Sequence, residues 1–150
     1  MTLLTDLTTT RDQTLACFDL PEADLARTYA PGKWTIRQIL VHLADAESVL
    51  HERIRRIIAE PKQVIWAFDQ DLWAAALAYE LFPLNLSRDL FRANRNAIIY
   101  LADSFYEQLG SNEFVHSQTG LRTLKDEFDK VAWHNQNHLD QITRALSSEK

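Results

Sequence analysis

Glycine and proline are scarce in this chain, at three and four residues among 150. So few breakers argue against a turn-rich β fold. Cysteine is rarer still: Cys17 stands alone, which excludes an intrachain disulfide and suits a reducing compartment. Basic residues are outnumbered, 16 Lys and Arg against 21 Asp and Glu, for a net charge of −5. A nucleic-acid binder carries a basic excess or stripe, so nucleic acid is not an expected partner. The one local basic cluster, Arg53, Arg55 and Arg56, reads as a solvated helix face, with Glu52 one turn from Arg56. No apolar run approaches the roughly 18 residues that a membrane span needs. Near the start, Asp6 and a run of threonines stand where a secretory leader has a basic and then an apolar stretch. These absences predict a cytoplasmic, soluble protein that binds neither membrane nor nucleic acid.

What is present points to helices. A length of 150 residues with 46% hydrophobic content fits one domain able to bury its own core. Four long segments carry helical periodicity. The first, from Thr2 to Asp19, has the stripe Leu3, Leu7, Leu15 and Phe18 and stops before Pro21. The second opens on Thr35-Ile36-Arg37-Gln38, a capping box, with Trp34 and Ile39 placed as its hydrophobic staple. Its apolar face runs from Ile36 through Ile39, Leu43 and Leu50 to Ile57, and Pro61 ends it. The third runs from Ser87 to Gly110 as a C′ residue, with Leu90, Ala97, Ile98, Leu101 and Phe105 inward. The fourth runs from Thr123 to Ser147, with Leu124, Phe128, Val131, Ile142 and Ala145 inward. Between the second and third, residues 61–85 hold at most a short helix over Asp71–Glu80. A polar connection with His116 and Gly120 precedes the fourth. This pattern predicts an all-α domain, an antiparallel four-helix bundle with a long connection between helices two and three.

Three histidines carry the chemistry. His134 and His138 lie four apart, so they share a helix face, and their offset from Val131 turns both inward. An unpartnered imidazole there is costly. A metal ion satisfies the pair; so does ordinary hydrogen bonding in the core, and the spacing alone does not choose. The zincin motif is absent, because Asn135 stands where its Glu would be. His42, three past Ile39, lies on or beside the inner face of helix two. One imidazole from helix two and a pair from helix four would make a three-nitrogen site with positions left open.

The segment Trp34-Thr35-Ile36-Arg37-Gln38-Ile39-Leu40-Val41-His42-Leu43-Ala44-Asp45-Ala46-Glu47 resembles the signature of the DinB-like (YfiT-like) metalloenzyme superfamily. Trp133-His134-Asn135-Gln136-Asn137-His138-Leu139-Asp140-Gln141-Ile142 resembles its C-terminal motif. Arg95 and the run His116 to Leu124 also fit, so the likeness covers nearly the whole chain and is loose only across residues 61–85. The resemblance implies a divalent metal, zinc or nickel, on His42, His134 and His138. Relatives often carry Asp at the position of Asn135 and His at that of Asn137, a change around the ligands and not in them.

Other residues are weighed around this site. Glu47 reads either as a group that orients a ligand or moves a proton, or as a surface carboxylate paired with His51. Arg95 reads as a clamp for an anionic substrate or as a salt bridge at the core's edge. Asp69 and Asp71 fit turn or N-cap roles better than catalysis. His116 fits a capping role. Cys17 reads as a small buried hydrophobe. Trp34, Trp66, Trp73 and Trp133 read mostly as core or interface residues, one or two of them able to line a pocket. Three neutral imidazoles leave an ion its full charge, so water or a small thiol would be acidified. Two reactions follow, hydrolysis and thiol transfer. The resemblance implies both, since relatives include hydrolases and transferases that use thiols such as bacillithiol or mycothiol. The rival is a non-catalytic bundle with a structural metal. A small-molecule substrate and a twofold homodimer complete the expectation.

Overall fold

The computed structural model describes residues 2–148. Its helices are α1 (Leu3–Cys17), α2 (Glu22–Leu25), α3 (Ile36–Ala59), α4 (Gln70–Ala76), α5 (Leu84–Phe105) and α6 (Leu124–Ser147). Its strands are β1 (Val64–Ile65), β2 (Glu113–His116) and β3 (Gly120–Thr123).

Helix ends follow local chemistry. Thr35 Oγ1 accepts from Gln38 N at 3.2 Å while Gln38 Oε1 accepts from Thr35 N at 2.9 Å, so the capping box starts α3 as expected. Thr123 and Asp126 form a second box at α6. Its acidic third residue also suits the positive end of the helix dipole. α5 does not run to Gly110; it starts at Leu84 and ends at Phe105. Gly110 is needed for closeness, not for a left-handed cap. A Cβ there would sit 2.2 Å from the Tyr106 carbonyl and 2.6 Å from the Lys125 side chain.

The polar connection before α6 is a hairpin: β2 pairs antiparallel with β3, and β1 adds a parallel edge to β2. Gly120, at φ +80°, turns the chain into β3. Two-residue and four-residue strands are too short for period-two alternation to stand out from the polar background.

α1 and α3 each pack on both α5 and α6, so they are diagonal to one another. Arg11 meets Asn96 and Asp19 meets Arg88, so α1 and α5 run oppositely. His42 meets His134 and Arg53 meets Glu127, so α3 and α6 run oppositely. The start of α3 shares a cluster with Phe91 and its end shares one with Ile98, so α3 and α5 run the same way. The order is up-down-down-up, which requires the long α3–α5 connection, where β1 and α4 lie. The four-helix bundle expected from the sequence is therefore the fold.

The core has two apolar ends. One gathers Leu7, Leu50, Ile54, Ile98 and Phe128; the other gathers Phe18, Ile39, Leu43, Phe91 and Ile142. Between them lies a buried polar layer: Thr10, Thr14, Glu47, Arg95 and Asn135. His134 and His138 flank Asn135 on α6, and His42 faces them from α3.

Candidate metal centre

His42 is fully buried on α3, and His134 and His138 face it from α6. One nitrogen from each ring lies within 4.8 Å of the other two. His42 Nε2 and His134 Nε2 are 3.0 Å apart. For a tetrahedral ion with M–N of about 2.0–2.1 Å, ligand nitrogens lie about 3.3 Å apart, so this spacing is within a few tenths of what an ion requires.

Two of the three rings are held by something other than their neighbours. His138 Nδ1 donates to Gln141 Oε1 at 2.8 Å, one turn on, which leaves Nε2 as the lone-pair nitrogen. His42 is gripped by packing: Trp34 lies 5.0 Å from its ring and Phe68 stacks at 6.5 Å. Its Nδ1 is buried without a hydrogen-bond partner, a cost that packing must outweigh. Burial, then the neighbouring imidazoles, lowers the His42 pKa to about 2. Burial, then His138 and Lys130, lowers that of His134 to about 3. Burial also lowers that of His138, against the Gln141 bond. All three rings are thus neutral at pH 7, the form in which imidazole ligates a cation. An all-nitrogen set of this kind suits a divalent zinc, nickel, copper or iron ion.

Glu47 and Arg95 meet each other. Arg95, on α5, is fully buried and donates through Nε and Nη2 to the two oxygens of Glu47. Nη2 also donates to Asn135 Oδ1 at 2.7 Å, and Nη1 to Leu7 O at 3.0 Å and Thr10 Oγ1 at 2.8 Å. All five guanidinium N–H donors are used, on partners from α1, α3 and α6. Asn135 Nδ2 in turn donates to Thr14 Oγ1 at 2.9 Å. Burial pushes the Glu47 carboxyl up and the guanidinium opposes it. With two nitrogens on the two carboxylate oxygens, the pair has the geometry of a buried salt bridge. Glu47 does not reach His51, which instead meets Asn94 Oδ1 at 2.7 Å.

The remaining candidates have plain positions. Asp69 caps α4, accepting from Asp71 N and Leu72 N at 3.0 Å each. His116 caps its hairpin, Nδ1 accepting from Gln118 N at 3.2 Å and Thr119 N at 3.3 Å. Cys17 ends α1, half-buried, its thiol pKa pushed up by burial. Of the tryptophans, Trp34 borders the histidines, Trp73 packs on Phe68, and Trp66 and Trp133 are exposed. The basic cluster on α3 divides. Arg55 and Arg56 face solvent, with Arg56 on Glu52, while Arg53 is buried, 3.4 Å from Glu127 and 2.7 Å from Trp66 O. Periodicity alone does not reveal that Arg53 has a buried carboxylate opposite it on α6. Tyr79 donates to Asp45, fastening the segment after α4 to α3.

A cleft of about 350 Å³ opens beside His138 and Gln141, bordered by Trp34, Lys33, Gln70 and Asp71. A larger groove of about 960 Å³ between α1, α5 and α6 contains none of the three histidines. No described helix is long and apolar enough to cross a membrane.

Residues 6–142 match the family model described as the DinB superfamily. The chain is 30% identical over 129 residues to a protein of Oceanobacillus iheyensis named "Putative metal-dependent hydrolase", covering 86% of this chain and 74% of that one. A protein of Halalkalibacterium halodurans with the same name is 24% identical over 127 residues, covering 85% and 74%. The fold is similar to that of YfiT from Bacillus subtilis, described as "a probable metal-dependent hydrolase with an unusual four-helix bundle topology". The TM-score is 0.86 at 21% identity, over 95% of this chain and 83% of that one. With 137 consecutive residues matched, the chain belongs to the DinB superfamily.

Proposed function

We propose that His42, His134 and His138 hold one divalent cation, zinc or nickel, and that the protein is a metal-dependent hydrolase of small molecules. The observation that carries this reading is the trio itself: three neutral imidazoles, two buried and one half-buried, with ligand atoms inside 4.8 Å, and a cleft reaching one of them. A structural site is closed by four protein ligands, whereas a site for chemistry keeps a position open. Among the described residues no fourth His, Cys, Asp or Glu joins the cluster. The names of the relatives favour hydrolysis.

A divalent ion there would supply Lewis acidity and lower the pKa of a water or thiol presented to it. The chain's own residues do the rest. Gln141 fixes the tautomer and rotation of His138. Trp34 and Phe68 hold the His42 ring and keep water from its outer face. Glu47 and Arg95 act as positioning residues: through Asn135 they pin α6 beside His134. Thiol transfer is the second reading, favoured by the polar cleft, which admits a small thiol from solvent; Cys17 sits at the end of α1 and is no part of the trio.

The test is metal content by elemental analysis of tag-free protein, beside a His134→Ala/His138→Ala variant checked for folding by circular dichroism. About one equivalent of metal is expected in the wild type and almost none in the variant. Wild-type protein that refolds metal-free and takes up neither zinc nor nickel refutes the reading.

A further inference from the structure

The cleft beside His138 carries its own selectivity. Tyr29, Lys33 and Trp34 come from the connection before α3, and Gln70 and Asp71 from the start of α4. Lys33 and Asp71 are a cation and an anion on one cleft of about 350 Å³. Neither forms an ion pair with the other or with any described residue within 4 Å. Arg144, with its guanidinium 5.0 Å from the ring of the cleft residue Tyr29, adds positive charge behind that wall.

Each class of ligand meets this lining differently. An apolar molecule would strip water from a lysine, an aspartate and two amides with nothing in return. An anion or a cation alone would leave one charged group unmatched. A molecule with both charges satisfies both. The volume lies at the small end of the range for ligand pockets, roughly 300–1,000 Å³, which suits an amino acid or a dipeptide.

We propose that the substrate is a small zwitterion of amino-acid or dipeptide size, with its carboxylate on Lys33, its ammonium on Asp71 and its reacting group toward His138. This rests on the metal-site reading above.

The test uses cobalt(II)-loaded protein and visible absorption, which reports a ligand reaching the ion. Three hydroxamates share one chelating group: acetohydroxamate is neutral, glycine hydroxamate is a cation, and L-aspartic acid β-hydroxamate is a zwitterion. The zwitterion is expected to bind about tenfold tighter than acetohydroxamate. Asp71→Asn and Lys33→Met should each remove about three- to fivefold of that preference, as partly exposed charge pairs do. Acetohydroxamate affinity should not change in either variant. Equal affinities for the three probes, or a preference that survives both substitutions, overturn the proposal while leaving the metal site standing. Failure to take up cobalt, or a spectrum that acetohydroxamate does not alter, overturns the metal-site reading and this proposal with it.

Discussion

Replacing Glu47 with leucine should do more damage than any other single change in the polar layer. Arg95 has no solvent exposure and directs two of its nitrogens at the two Glu47 oxygens. Removing the carboxylate leaves a buried guanidinium without its counter-charge. Breaking one side of a buried pair costs about 3–5 kcal/mol, a large share of the roughly 5–15 kcal/mol that holds a domain together. Arg95→Met should cost less. The stranded Glu47 takes up a proton, a direction in which burial already pushes it. In Glu47→Leu/Arg95→Met both charges are gone. Thr10 Oγ1 keeps its bond to Asp6 O at 2.7 Å, and the main group left without a donor is Asn135 Oδ1. That residue of cost is about 1–3 kcal/mol. Urea unfolding followed by circular dichroism ranks the three variants. The expected order of loss is Glu47→Leu, then Arg95→Met, with the double variant well short of their sum. A Glu47→Leu loss under about 1 kcal/mol, or a double variant that simply adds the singles, would refute the role given to this pair.

Further outcomes follow from the same geometry. Metal-free protein should lose stability as pH falls below about 6.5, because the unfolded histidines take up protons that the desolvated rings of His42, His134 and His138 refuse. The slope is about 1.4 kcal/mol per pH unit for each histidine, so urea midpoints at pH 7.5 and 5.5 should differ clearly; an equal slope in His134→Ala/His138→Ala would contradict this. Asn135→Asp sets a second buried carboxyl on one guanidinium, which raises its folded pKa above the unfolded value, so the variant's deficit against wild type should shrink as pH falls from 7 toward 4.5. A deficit that does not change with pH would count against it. Gly110→Ala forces a methyl group to within 2.2 Å of the Tyr106 carbonyl and should cost about 1–3 kcal/mol by thermal unfolding; a neutral effect would show that the α5–α6 connection gives way easily.

Much of the bundle was legible in the sequence because its signals are local. The Thr35–Gln38 box, Pro61 and the stripes of the second and fourth helices each act within a few residues, and the structure follows them. The face of the third helix is legible only in part: Ile98 is buried and Leu101 packs against the core, as expected. Leu90 is exposed, and the buried line passes through Ser87, Phe91, Arg95, Ile98 and Ala102. A rule that sends leucine inward and arginine outward fails where a carboxylate waits on another helix. The strands were missed because a parallel edge of two residues owes its existence to a partner some fifty residues away, Val64 opposite Val115.

The trio was legible in part: helical spacing aligned His134 with His138, and the offset of His42 from Ile39 turned it inward. Glu47 and Arg95 were singled out, but their pairing was not, since no local pattern links residue 47 to residue 95. A subtler signal was present. The buried line of α1 is Leu7, Thr10, Thr14, Phe18; that of α6 is Val131, Asn135, His138, Ile142. Each is an unbroken helical stripe with polar residues in its middle and apolar residues at both ends, and α3 and α5 do the same with Glu47 and Arg95. One such interruption is weak, because a buried polar group alone is costly. Four at one level are mutually explanatory, because each supplies the partner that another requires. Stripes aligned by their interruptions, and not by their hydrophobic residues, would have placed the polar layer and the three histidines beside it in one step.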